Sequence, residues 1–322
     1  MSVLEIKNLT IELMTEYGIV KAVDNVSFSL GEGEILGLVG ESGCGKSMTS
    51  MAIMRLLSNK PARVTGEVLF EGKDILSLSD KEMNKIRGNQ ISMIFQDVMT
   101  SLNPLMTIGR QIMEPMMVHK GMSKKAAKAR AIELLDAVGI PMPEKRVDEY
   151  PNSLSGGMRQ RVMIAIALAC TPKVLIADEP TTALDVTIQA QILELMKKIR
   201  KKYGTSIIMI SHDLGVIAEM CDRAAVMYCG NIAEEGSIEK IFDNPMHPYT
   251  KGLLKSIPTL ETDDEELYSI PGIVPSLHEF PKGCKFAERC FDACEKCRNA
   301  VPSHVLVEEE HYVSCVKFGG NV

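Results

Sequence analysis

The sequence has no excess of positive charge, no long apolar run and no leader-like pattern in its opening residues, and each absence argues against a class of protein. Its 36 basic residues are outnumbered by 42 acidic ones, giving a net charge of −6, and a chain so balanced is no broadly basic nucleic-acid binder. The longest uninterrupted apolar run, Val162–Cys170 (VMIAIALAC), falls far short of the roughly 20 residues a membrane helix requires. The opening MSVLEIKNLT has no basic flank ahead of an apolar core, so no secretory signal is expected and the protein is expected to stay inside the cell. Structural disulfides are rare in that reducing setting, and nine cysteines then call for a metal, a redox role or burial. No internal repeat or low-complexity tract is visible.

What is present fits a soluble globular protein: 322 residues, 45% apolar and 24% charged, enough for one large domain and an appendage. The first third alternates β-rich runs with glycine turns: VLEIKNLTIEL, VSFSL, then EILGLVG running into a Gly-rich loop and the helix-like KSMTSMAIMRLL. From about residue 99 the pattern turns helical, as in KKAAKARAIELLDAVGI, and reads as an inserted helical subdomain over about 99–160. The apolar strand of KVLIADEP, an amphipathic helix from about Thr187 to Tyr203 and the strand of SIIMISHD follow as α/β crossover units. The basic run Lys197–Lys202 closes that helix before Gly204, where cations complement the negative end of the helix dipole. Beyond Gly236 the composition shifts to proline, charge and cysteine, with an acidic linker at Glu261–Tyr268. The division expected is 1–236 and 237–322.

Two motifs carry chemistry on their own residues. GESGCGKS, Gly40 to Ser47, follows a predicted strand and opens a predicted helix, the context of a phosphate-binding P-loop. Its glycines let backbone N–H groups close on phosphate oxygens; Lys46 would neutralise the β- and γ-phosphates and Ser47 would ligate Mg²⁺. VLIADE places Asp178 and Glu179 at the carboxyl end of a buried strand, where Asp178 would hold Mg²⁺ through its water shell and Glu179 would act as general base toward an attacking water. A third stretch, NSLSGGMRQR from Asn152 to Arg161, could by itself be helix capping by Ser153 or Ser155.

The order P-loop, Gln96 in MIFQD, SGG, acidic strand, Asp185 in TTALD and His212 in ISHD resembles the ATP-binding cassette ATPases over about residues 1–236. The resemblance implies a P-loop (RecA-like) α/β domain with an antiparallel β subdomain and an inserted helical subdomain. It implies head-to-tail dimers in which Ser155, Gly156 and Gly157 contact the γ-phosphate held by a partner's P-loop. On this side, Gly40, Ser42, Gly43, Cys44, Gly45, Lys46, Ser47 and Met48 would cradle the nucleotide, Gln96 would meet Mg²⁺ or the lytic water, and Asp185 would line the site. His212 would bond the γ-phosphate and Tyr17 would stack on adenine. Met158 stands where the commonest signature has Gln.

Within that family IFQDVMTSLNPLMTIGRQI, HPYTKGLLKSIP and IPGIVPSLHEFPKGCKF look like the ATPase subunits of dipeptide and oligopeptide importers; nickel and sugar-fragment importers share much of the pattern. The branch implies ATP hydrolysis at the cytoplasmic face of a membrane, two permease subunits, a second identical or homologous ATPase subunit, an extracytoplasmic solute-binding protein reached indirectly, and no nucleic acid. A soluble cassette ATPase of DNA repair or translation is the alternative class. Cys284, Cys290, Cys297 and Cys315 match a cysteine set in the tails of these importer ATPases, implying four ligands for one [4Fe–4S] cluster. The pair Cys294 and Cys297 has the spacing of a zinc site, and reduced, unligated thiols are the third reading. Cys44, Cys170, Cys221 and Cys229 read as small buried hydrophobes.

Overall fold

In a computed structural model the described residues are 2–57, 61–97, 101–182, 185–257 and 268–319. Residues 98–100 after Gln96, Ala183 and Leu184 of TTALD, and all of the acidic linker but Tyr268 lie outside them. The chain forms two compact units. One contains Leu30–Glu34 and Ser77–Ile208; the other contains Leu4–Ser29, Ile35–Leu76 and the chain from Met209 onward.

The second unit begins with the antiparallel strands β1 (Ser2–Thr15) and β2 (Gly18–Gly31), continues with β3 (Ile35–Val39), and adds β4 (Ala62–Phe70) and β5 (Lys73–Asp74). The order β2-β1-β4-β5 makes one sheet. Its register breaks between Lys7 and Thr10 of β1, where Asn8 is left-handed (φ 51°). The opposing Gly66 (φ 101°) has no room for a side chain, because a Cβ there would lie 2.5 Å from the Asn8 carbonyl. β3 is buried throughout, as an apolar strand covered on both faces must be.

In the first unit β6 (Ile91–Ile94) and β7 (Val174–Asp178) run parallel, Ile91 opposite Val174 and Ile94 opposite Ala177. The helix Gly156–Leu168 packs against β6, and the helices Ile108–Lys120 and Lys124–Ala137 pack against that helix and against each other. Each starts on a side-chain cap, Thr107, Ser123 and Ser155. The long helix spans Val186–Tyr203 and ends with Arg200, Lys201 and Lys202 before Gly204 (φ 66°), so the basic run is a helix terminus. Arg200 Nε donates to the Gly33 carbonyl at 2.6 Å.

After β8 (Ser206–Ser211) the second unit resumes with β9 (Arg223–Tyr228), β10 (Asn231–Ser237), β11 (Val305–Glu308) and β12 (His311–Val313). Within it β9 runs parallel to β3, and β10 is antiparallel to both β9 and β12. The residues beyond Gly236 are therefore stitched into this sheet. Glu234 of β10, fully buried, is the fastening: its carboxylate accepts the Met246 amide (2.7 Å), the His247 amide (2.9 Å) and His311 Nε2 (2.8 Å). Three donors compensate the desolvation of a buried charge. No helix of the described residues is long and apolar enough to cross a membrane.

His247 is 3% exposed and caps the helix Pro248–Lys255, its Nδ1 accepting the Tyr249 amide at 3.0 Å. Burial pushes its imidazole down from 6.5 to about 4, against a weaker opposing hydrogen bond to the Ser314 backbone. Above 6.5 the ring is neutral whether folded or not; between 6.5 and about 4 only the unfolded chain takes up the proton. Stability is therefore lost as the pH falls through that window. Denaturant midpoints followed from pH 7 to 4 are expected to fall more steeply for the wild type than for His247→Asn, which keeps a capping acceptor but has no ring to titrate. Equal slopes would show that His247 does not contribute.

Candidate nucleotide site

The Gly40–Ser47 loop leaves β3 and enters the helix Lys46–Ile53. Gly40, Gly43 and Gly45 have φ of 154°, 78° and 106°, which L side chains adopt only with strain. Space forbids side chains at two of them. A Cβ on Gly40 would fall 2.1 Å from the Met227 carbonyl, and one on Gly45 would fall 3.1 Å from that of Ala22. Ser42 and Gly43 form the exposed crest, Ser47 and Met48 are half-buried, and Cys44 lies beneath, buried, its carbonyl accepting the Gly230 amide at 2.9 Å. Burial pushes the Cys44 thiol up. Lys46 is 5% exposed, and its Nζ donates to the carbonyls of Gly40 (2.7 Å) and Glu41 (3.0 Å). A buried ammonium thus stands in a loop of left-handed glycines at a helix N-terminus, a geometry suited to anions.

The first unit brings together the acidic strand end and Gln96. Asp178 closes β7 at 3% exposure. Glu179 follows in a left-handed conformation, φ 47°, which a non-glycine residue adopts at a cost of about 1–3 kcal/mol and which recurs at functional sites. Its Oε2 accepts from Gln96 Nε2 at 2.9 Å and from the Thr182 hydroxyl at 2.8 Å. Ser155, rather than Ser153, caps the signature helix, accepting the Met158 amide at 3.4 Å; the Ser153 hydroxyl donates to Glu149 instead. Ser155 and Gly156 are exposed, and Gly157 faces Ile188, whose Cγ2 would lie 3.1 Å from a Cβ there. Gln160 of the same helix donates to the Pro180 carbonyl at 2.6 Å. Asp185 caps the helix Val186–Tyr203 through the Ile188 amide at 3.0 Å.

His212 is exposed at the end of β8, ahead of Asp213, which caps the next helix. Tyr17, 76% exposed in the turn between β1 and β2, packs edge-on to His278 with centroids 4.9 Å apart. An exposed aromatic ring is available for stacking, which a core residue is not.

In the tail, the Cys284 amide donates to the Cys297 carbonyl at 2.7 Å. Burial raises the Cys284 thiol to about 11, and the thiols of Cys297, Cys315 and Cys290 add to that rise. The four cysteines thus lie within electrostatic reach of one another. Cys294 is exposed, with its Sγ 3.3 Å from that of Cys297. Among the described residues no three Cys, His, Asp or Glu side chains converge closely enough to hold a single metal ion. Of the other thiols Cys44, Cys170 and Cys229 are buried and Cys221 is half-buried.

Sequence reasoning passed over Glu41, Tyr249 and Arg289. The Glu41 carboxylate is paired with Arg289 at 2.7 Å, and its amide is bonded to the Tyr249 hydroxyl at 2.9 Å. The only signal was an acid inside a loop built for anions.

The chain matches the ABC transporter family model over residues 23–182 and that of the oligopeptide/dipeptide transporter C-terminal region over residues 233–297. It is 58% identical to the oligopeptide transport ATP-binding protein OppD of Bacillus subtilis (strain 168), over 96% of this chain and 87% of that protein. To the dipeptide transport ATP-binding protein DppD of the same organism it is 54% identical, over 97% of this chain and 94% of that one. Among solved structures, the dimeric structure of MJ0796, a bacterial ABC transporter cassette, matches with a TM-score of 0.66 at 32% identity, covering 73% of this chain and 98% of that one. The chain belongs to the ATP-binding cassette ATPases, in the branch of oligopeptide and dipeptide transport ATP-binding proteins.

Proposed function

We infer that the protein hydrolyses ATP to energise the import of di- or oligopeptides through membrane permease subunits. The observation that carries this reading is identity above 50% along almost the whole length of peptide-transport ATP-binding proteins, tail included. The proposed assembly is peripheral, at the cytoplasmic face, with two permeases and a second identical or homologous ATPase subunit; the solute-binding protein is reached through the permeases. Residues 1–236 form the cassette in this reading and 237–322 the importer-specific extension. The dimeric cassette among the similar structures supports the second subunit.

The residues divide the reaction as follows. The loop amides and Lys46 bind the triphosphate, Tyr17 stacks on adenine, and Ser155, Gly156 and Gly157 serve the partner's nucleotide, with Asp185 fixing the helix that faces Gly157. Ser47 and the buried carboxylate of Asp178 are hard oxygen donors of the kind Mg²⁺ takes. When bound, Mg²⁺ supplies positive charge to the β- and γ-phosphate oxygens. Glu179 takes a proton from the attacking water as the water oxygen bonds to the γ-phosphorus and the bond from that phosphorus to the β–γ bridging oxygen breaks, ADP leaving with the bonding pair. Gln96 and Thr182 hold its Oε2 from two sides, which aims the second oxygen. His212 donates to the γ-phosphate.

For the tail we propose a [4Fe–4S] cluster on Cys284, Cys290, Cys297 and Cys315. Support comes from the chain geometry that ties Cys284 to Cys297 through an amide–carbonyl bond of 2.7 Å and from thiols that raise one another, those of Cys297, Cys315 and Cys290 acting on Cys284 and those of Cys297 and Cys315 on Cys290. The group's own chemistry here is structural, tying a proline-rich segment.

Glu179→Gln keeps the phosphate contacts and loses the base. It is expected to lower turnover by about 100-fold or more and to trap a dimer on sizing with Mg-ATP and a competent partner cassette. Near wild-type turnover would remove Glu179 from the base role. Protein purified without oxygen is expected to be brown, with about four iron and four sulfide per chain. Serine at any of the four cysteines should abolish the colour, and Cys294→Ser should keep it. A colourless anaerobic preparation with one zinc per chain would replace the cluster with a zinc knot.

A further inference from the structure

Arg289 stands one residue before Cys290, yet its guanidinium serves the phosphate loop. It is 8% exposed. Nη1 donates to Glu41 Oε2 at 2.7 Å and Nη2 to Oε1 at 3.0 Å, a two-pronged pair. The tail supplies two further acceptors: Nε donates to the Pro271 carbonyl at 3.1 Å and Nη2 also reaches the Ile270 carbonyl at 3.4 Å. Nη1 also reaches the Tyr228 hydroxyl at 3.4 Å.

A second link runs beside the first. Tyr249, fully buried, accepts the Glu41 amide on its hydroxyl. Its ring is seated by Tyr228 and Phe286, at centroid distances of 4.6 and 5.3 Å. Every polar group of Glu41 is thereby assigned: the amide to Tyr249, the carbonyl to Lys46 and the carboxylate to Arg289.

The need for this follows from charge. The loop gathers N–H groups and one ammonium for an anion, and Glu41 is its second residue. An unpaired carboxylate there repels a triphosphate across a few ångströms of partly desolvated space, where Coulomb energies are several times those in water. A buried arginine neutralises it and turns it away. We propose that Arg289, supported by Tyr249, is a positioning residue for ATP binding: the cysteine-rich tail neutralises and anchors Glu41, so that the loop presents only donors to the phosphates. This rests on the phosphate-loop reading above. It makes nucleotide affinity depend on a correctly folded tail.

Equilibrium ATP binding to the purified full chain tests it, with Lys46→Ala, Arg289→Met and Glu41→Gln/Arg289→Met beside the wild type. Arg289→Met is expected to weaken binding about tenfold or more, since it leaves a carboxylate unpaired. Adding Glu41→Gln is expected to restore affinity to within about threefold of wild type, because the charge needing neutralisation is gone. Lost tail packing could not be rescued from the loop side. Wild-type affinity in Arg289→Met, or a double variant as weak as the single, would overturn the proposal. Should Arg289→Met fail to fold, the double variant decides alone: a folded double variant binding more than about tenfold weaker than wild type overturns it, and one within threefold supports it. Unchanged affinity in Lys46→Ala would remove the phosphate-loop reading and this inference with it. A loss in Lys46→Ala beside wild-type binding in Arg289→Met would remove the inference alone.

Discussion

The Met227 carbonyl lies where a side chain on Gly40 would have to go, and much else depends on that contact. It presses the start of the phosphate loop against the end of β9, so the chain must turn through left-handed glycines before it can enter the helix at Lys46. With no Cβ in the way, amides line the turn and the Lys46 ammonium folds back over it to the carbonyls of Gly40 and Glu41. The buried lysine is held by two neutral carbonyls and, at 3.6 Å, by the Cys44 sulfur, which keeps its donors inside a loop suited to an anion. Burial, loop conformation and phosphate chemistry are one constraint at this site.

Glu179, the proposed general base, is positioned differently. β7 is buried along its whole length, so its carboxyl end delivers Asp178 at a fixed depth, and the chain then departs from extended geometry at Glu179. The strained φ is held by neighbours: Gln96 and Thr182 both bind its carboxylate, and Gln160 of the signature helix takes the carbonyl of the next residue. Signature helix, acidic strand and Gln96 are thereby joined within one compact unit.

Much of this was legible in the sequence where local patterns decide. The glycines of GESGCGKS announce a backbone without side chains, and the periodicity and final cations of 186–203 give both the helix and its end. Asp185, which the sequence reading places at the nucleotide, also caps a helix through the Ile188 amide, a second task that its position alone does not announce. Glu41 and Arg289 were out of reach because they are 248 residues apart, and no period or spacing connects them. An arginine between Glu288 and Cys290 reads as an ordinary solvated charge until the fold shows it buried. The division at Gly236 reflects a real shift in composition. The fold nevertheless carries β12 beside β10 and seats Phe286 against Tyr228, because a small proline-rich segment must borrow a neighbour's apolar surface to be stable.

The central claim is that this is an importer ATPase whose turnover is set by its membrane partners. The most direct measurement is ATP turnover of the purified chain alone and after reconstitution with the permease pair and partner cassette, with and without solute-binding protein and peptide. Slow turnover alone, raised by assembly and raised again by peptide, is the predicted result. Full, solute-independent turnover in the isolated chain would contradict it and return the protein to the class of soluble cassette ATPases.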